Sequence, residues 1–272
     1  MRYLRIATIV FFLVSIVFSF WANNRYYSSL NTDFPEISNQ AETLQISVND
    51  PPEKLMEGLS AKDTTDGDLT DRIMVASVSH FLEPGTVNVK YVVFDSHNNS
   101  ATLTRKVHYT DYTAPVFSLA KNPVYTVGHS FDLLEHIRVE DCIDGDISGN
   151  VRVVSNMVNN FSVGNYPVVL EVSNSCGDTA QITIWVRFLG KESTAQVFLK
   201  QHIVYVQQGE SFQPKKLLKA VTDTSGEDLN KKNVQIQGHA DLNKPGCYQL
   251  VYSYDDGKLT GEAPLTVVVT EG

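Results

Sequence analysis

Aspartates at fixed spacing are the residues of this chain whose chemistry stands out. Asp63, Asp66 and Asp68 fall in Asp-Thr-Thr-Asp-Gly-Asp-Leu-Thr, and Asp141, Asp144 and Asp146 in Asp-Cys-Ile-Asp-Gly-Asp-Ile-Ser. A worn third copy, Asp-Thr-Ser-Gly-Glu-Asp-Leu, starts at Asp223. Carboxylates grouped this way suit Ca²⁺, which takes about six to eight oxygen ligands. In the first copy the set is Asp63, Asp66 and Asp68 with Asp95 from a later turn. The other reading is turn chemistry: Asp bonds its own backbone, and Gly67 or Gly145 supplies a positive φ. No Glu closes the loop as in an EF-hand, and Ser173 stands where Asp95 does, so the ligand set does not repeat.

Three cysteines are too few for a disulfide scaffold. Cys142 follows the second lead aspartate, and Cys176 sits in the turn that replaces the Asp95 loop. If both loops share one end of a domain, a bridge clips them in an oxidising exterior; otherwise they are two separate thiols. Across a 34-residue separation, the chain-entropy model gives a bridge roughly 3–4 kcal/mol. Cys247 has no partner.

Tyr248, Tyr252 and Tyr254 alternate along one stretch. They form either a glycan-binding platform or a core face with one wet edge. The seven histidines are scattered, and no His-Glu-x-x-His, Gly-x-Ser-x-Gly or P-loop pattern occurs. No spacing supports a Ser/His/Asp set, so the expectation is a protein that is not an enzyme. A net charge of −9 without clustered Lys and Arg argues against nucleic acid.

The lead aspartates Asp63, Asp141 and Asp223 are separated by 78 and 82 residues. That period is too long for a solenoid and right for a small β-sandwich. Each copy follows one order: an opening strand, a second β-rich piece, a short amphipathic turn, the aspartate loop, then a variable pair reaching Gly85, Gly164 or Gly246. After that glycine comes period-two alternation, with Val87, Val89, Tyr91 and Val93 on one face in the first copy. A polar turn and a closing strand finish the unit. About seven strands per unit predict an all-β chain of sandwiches with Greek-key character.

The series Pro-x-φ, Gly-x-x-Phe-Asp, Asp-x-x-Asp-Gly-Asp-φ-Ser/Thr and Gly-x-Tyr resembles the bacterial surface immunoglobulin-like domain. That domain also appears in some pesticidal crystal proteins and is related to the hyalin repeat. The middle unit carries the pattern most fully, in Pro115, Gly128, Phe131-Asp132, Asp141, Asp144-Gly-Asp146, Gly164 and Tyr166. The first unit lacks Gly-x-x-Phe-Asp, and the third reads Ser225-Gly-Glu-Asp228. The resemblance implies three tandem Ig-like domains, over 36–112, 113–190 and 191–272. It says little of function, since sandwich domains carry many unrelated roles.

Ahead of them, basic Met-Arg-Tyr-Leu-Arg precedes an uncharged, mostly apolar run over 6–22. Its length suits a transmembrane helix, and the bulky Phe20-Trp21-Ala22 end suits a signal anchor better than a cleaved signal, which is the runner-up. Arg2 and Arg5 place the N-terminus inside the cell, and 23–35 reads as a spacer. The expectation is a cell-membrane protein with its C-terminal region outside. It holds a semi-rigid rod of Ig-like domains for protein binding, adhesion or spacing, needs no cofactor beyond possible calcium, and has an unnamed protein or envelope-glycan partner. The alternative is an array of carbohydrate-binding modules.

Overall fold

The computed structural model describes residues 2–29, 33–190 and 194–271, with the backbone alone for 2–10 and 26–29. Its one α-helix, α1 (Arg2–Ser29), leads the chain. Every described side chain on it, over 11–25, is exposed. Among the described residues no helix is long and apolar enough to cross a membrane. The transmembrane helix expected over 6–22 therefore does not stand on what is described. Where the side chains are described, the apolar run ends at Ala22, and the polar Asn23, Asn24 and Arg25 follow it. The side chains of 6–10, residues 30–32 of the spacer and linker residues 191–193 lie outside the described residues.

The first sandwich has seven strands: β1 (Glu36–Asn39), β2 (Thr43–Ile46), β3 (Leu59–Asp63), β4 (Gly67–Asp68), β5 (Met74–Val78), β6 (Thr86–Phe94) and β7 (Ser100–Tyr109). They form two sheets, β1-β3-β4 and β2-β7-β6-β5. The alternation in the sequence is β6 itself, whose Val87, Val89, Tyr91 and Val93 are wholly buried. The amphipathic turn is a 3-10 turn, Pro52–Met56.

That turn explains a residue the hydrophobic pattern does not predict. Arg105, on β7 among core side chains, is 2% exposed. Its guanidinium donates to the Glu57 and Leu55 carbonyls, both at 2.6 Å, and to the Tyr91 hydroxyl at 3.2 Å. It also lies 5.4 Å from the Tyr91 ring centre, and the Tyr91 hydroxyl donates to Leu55 O at 2.7 Å. The charge is thus held by carbonyl dipoles and an aromatic ring, without a carboxylate among the hydrogen-bond partners.

The second sandwich comprises β8 (Val116–Leu119), β9 (Val124–Thr126), β10 (Ile137–Asp141), β11 (Gly145–Asp146), β12 (Arg152–Asn156), β13 (Gly164–Ser173) and β14 (Thr179–Leu189). The third comprises β15 (Gln196–Leu199), β16 (Ile203–Gln207), β17 (Leu218–Thr222), β18 (Val234–Gly238), β19 (Gly246–Asp255) and β20 (Thr260–Thr270). The larger sheets are β12-β13-β14-β9 and β16-β20-β19-β18. In each, the outer strand of the closing pair runs parallel: β9 beside β14, β16 beside β20. The smaller sheets are β11-β10-β8 and β15-β17, the latter extended by a bridge between Thr222 and Asp228. Inward side chains from both sheets interdigitate: Phe117, Ile137 and Val139 meet Leu170, Ile184 and Phe188 in the second sandwich. Val197 and Val221 meet Tyr252 and Leu265 in the third.

By internal contact the chain divides into two compact units, Met1–Ser79 with Thr86–His108, and His80–Gly85 with Tyr109–Gly272. The second unit holds two sandwiches, each with its own core cluster. Ile203 joins the second sandwich's core, with Tyr205, Cys247 and Val268 packed against it.

Replacing Arg105 with Ala leaves a cavity and unpairs buried carbonyls, and should cost about 3 kcal/mol. Urea unfolding followed by circular dichroism should show an early transition in Arg105→Ala that the parent chain lacks.

Candidate functional site

Each position of the aspartate motif has a mechanical task, repeated from sandwich to sandwich. The lead carboxylate caps its own turn: Asp63 Oδ1 accepts from Thr65 N and Asp66 N at 2.8 Å, and Asp141 Oδ1 from Ile143 N and Asp144 N at 2.9 Å. Asp223 Oδ1 does the same for Ser225 N (2.8 Å) and Glu227 N (2.9 Å). These are Asx turns. Gly67 and Gly145 follow at φ +78° and +70°, where a Cβ would be strained.

The next aspartate reaches the opposite loop. Asp66 accepts from the backbone and hydroxyl of Ser96, and Asp144 from those of Ser175. The third aspartate, Asp68 or Asp146, accepts from Thr70 N or Ser148 N at 2.9 Å and caps a 3-10 turn. The Thr70 and Ser148 hydroxyls then accept from Ala61 N and Val139 N on the neighbouring strand. Leu69 and Ile147 between them are buried.

These contacts support the turn reading of the aspartates. Asp66 and Asp68 are committed to Ser96 and Thr70. Asp95 accepts from His97 N, Asn99 N and Asn99 Nδ2. Among the described residues no group of three metal-ligating side chains can hold an ion. The counterpart of Asp95 is also Asn174, not Ser173: each closes its turn four residues on, Asp95 N to Asn99 O and Asn174 N to Asp178 O. Asn174 donates to Asp141 Oδ2 at 3.1 Å, whereas Asp63 Oδ2 has no hydrogen-bond partner.

The same clasp brings together the loops that carry Cys142 and Cys176, but the thiols are free in the structure. The Cys142 thiol donates to Thr113 O at 3.1 Å, which occupies it without a bridge. Burial is the main influence raising the Cys176 thiol above its ordinary pKa. Nearby, Tyr112 donates to Asp178 and accepts from Asn174 Nδ2, and its ring meets Phe81 edge-on at 4.7 Å.

The tyrosine platform is corrected by burial. Tyr252 is fully buried, its hydroxyl donating to Pro214 O at 2.7 Å, and burial pushes its pKa up to about 12. Tyr254 is buried too and donates to Asp256. Tyr248 is half-buried, and its hydroxyl donates to Lys244 O. The face that alternates points into the core.

What the sequence did not show is the junction of the second and third sandwiches. Arg187 grips Glu262 with both arms, Nε to Oε2 at 2.5 Å and Nη2 to Oε1 at 3.1 Å. The Asn165 and Gln249 amides bond reciprocally, and Phe117 N donates to the Tyr205 hydroxyl at 2.9 Å. Only a residue-by-residue pairing between copies, which tandem repetition does not supply, would have revealed these. Beside the junction lies a cleft of about 710 Å³, lined by Lys121, Asn122, Phe198, Lys200, His202 and Lys219 among others.

Residues 200–268 match the family described as bacterial surface protein, Ig-like domain. Over 207 residues, 73% of this chain, the sequence is 30% identical to pesticidal crystal protein Cry22Aa of Bacillus thuringiensis. The match spans 28% of that relative's length. Among solved structures, the chain is similar to the M60 catalytic domain with the CBM51-1 and CBM51-2 domains from Clostridium perfringens ZmpB. There the identity is 15%, over 89% of this chain and 31% of that one, with a TM-score of 0.25. It is also similar to Drosophila N-cadherin EC1-3, at 10% identity over 85% of this chain and 98% of that one, with a TM-score of 0.29.

Hydrogen bonds, led by the Ser96 hydroxyl on Asp66 and the Ser225 hydroxyl on Asp223, hold both carboxyls below their ordinary pKa. A carboxyl whose folded pKa is lowered stabilises the fold above its unfolded value, near 3.9, and loses that effect as pH falls through the folded value. The melting temperature should therefore fall below about pH 4, on top of the smaller loss between about pH 7 and 5 that comes from His202, whose pKa burial lowers. Asp223→Asn should flatten that acid limb, and adding 1 mM Ca²⁺ (about that concentration) should move neither curve.

Proposed function

We propose that this chain, which carries a bacterial surface Ig-like domain in its third sandwich, is a non-catalytic binding or adhesion protein of the cell surface. The single observation that carries this reading is the family match over residues 200–268 on a sandwich whose strand order the two preceding sandwiches repeat. The loop ends support it: the carboxylates that could do chemistry are spent on holding turns and loops together. A rigid frame that presents loops at its ends suits recognition.

The sandwiches in this reading face the exterior, with the N-terminal segment directing export. The exposed apolar side chains of α1, among them Phe11, Phe12, Phe18 and Trp21, support its association with an apolar phase. An oxidising exterior would also close the Cys142–Cys176 bridge, the two thiols giving up two protons and two electrons to an external thiol oxidant.

Surface proteolysis of intact cells tests the reading. Added protease should remove the sandwiches without lysis. Peptide mapping of the surface material under non-reducing conditions should recover the two cysteines in one linked peptide pair. Sandwiches that stay protected until lysis would overturn the surface assignment, and two free thiols in surface material would remove the bridge.

A further inference from the structure

We propose that the cleft beside the junction of the second and third sandwiches binds a saccharide bearing carboxylate groups. This rests on the binding-protein reading above and names a ligand class for it. The cleft's volume, about 710 Å³, is that of a small-molecule or oligosaccharide site. Its walls come from the turn after β8, the end of β14, the outer face of β15 and the start of β16.

Charge is the first argument. The whole chain is acidic, at −9, yet Lys121, Lys200 and Lys219 all line this one cleft. All three are exposed, and among the described residues none forms an ion pair. Glu262 is the one carboxylate among the described lining residues, and Arg187 neutralises it at 2.5 Å. A net positive cleft on a negative protein selects an anion.

Hydrogen bonding is the second argument, and it asks for more than an anion. The Asn122 amide nitrogen is turned to the Val197 and Glu262 carbonyls, which leaves Asn122 Oδ1 without a donor. His202 donates to the Pro264 carbonyl, burial depresses its pKa, and its Nδ1 is buried without a hydrogen-bond partner. Both acceptors are closed to water in the structure, at a cost of about 1–3 kcal/mol each. Both side chains line the cleft, so the proposal requires a hydroxyl donor of the ligand to reach these two acceptors. A bare carboxylate brings no donor, and an inorganic phosphate dianion brings a single P–OH and no apolar face. A ligand with hydroxyls and carboxylates together satisfies both the acceptors and the lysines. Phe198, 40% exposed on the same wall, offers a flat apolar face for the C–H side of a sugar ring.

Calorimetric titration of the full chain with an oligogalacturonate tests this. Neutral dextran, inorganic phosphate and polyglutamate serve as comparison probes. Oligogalacturonate should bind, and the double variant Lys200→Glu/Lys219→Glu should bind at least tenfold more weakly with an unchanged melting temperature. Lys90→Glu, an exposed lysine of the first sandwich outside the lining, should bind as the parent does. No measurable oligogalacturonate binding overturns the proposal, as does equal binding by the double variant. Equal binding of phosphate reduces the cleft to a simple anion site, and equal binding of polyglutamate makes it a peptide site; either also overturns it. Surface proteolysis is read separately, so a null titration on a surface-exposed chain removes the ligand class and leaves the surface assignment standing.

Discussion

A carboxylate oxygen shared between two backbone N–H groups is the interaction on which each sandwich turns. Asp63, Asp141 and Asp223 each hold a tight loop in one shape. That shape sets where everything after it goes. In the first two sandwiches it aims the next aspartate at the facing loop, where Asp66 meets Ser96 and Asp144 meets Ser175. It also lets the chain reverse through glycine into a capped 3-10 turn whose Leu69 or Ile147 plugs the core. Turn residues such as these are neutral elsewhere and decisive here, because a buried end of a sheet leaves backbone groups that need partners.

The third sandwich shows what happens when the motif wears. Asp223 keeps its cap and recruits the Ser225 hydroxyl as well, at 2.7 Å. The strand after the loop shrinks to a single bridge between Thr222 and Asp228, and Asn230 caps the following turn through Lys232 N. The lead aspartate and Asp228, in the register of Asp68 and Asp146, survive, while the middle aspartate that reaches the opposite loop is lost. Only the middle aspartate, Asp66 or Asp144, serves the link between loops.

Much of this fold was legible in the residues. Period-two runs marked β6, β13 and β19, since a half-buried strand must alternate. Glycines with positive φ at 67, 85, 128, 145 and 209 marked the turns. Three things were not legible, each for a physical reason. Alternation gives a face but not its direction, so Tyr252 and Tyr254 read equally as platform or core. Arg105 breaks the hydrophobic pattern because its partners are carbonyls of a turn some 50 residues earlier. The junction of the second and third sandwiches depends on Arg187 with Glu262 and Asn165 with Gln249, pairs 75 and 84 residues apart.

Hydrogen exchange of the turn amides tests the account's central claim most directly. Thr65, Asp66, Ile143, Asp144, Ser225 and Glu227 sit in exposed loops, where amides bonded only to water exchange freely. If the lead carboxylates hold them, all six exchange far more slowly than an open chain, and to the same extent in chelator as in calcium. Open-chain exchange in chelator, with protection appearing only when calcium is added, would contradict the account and return the aspartates to metal binding.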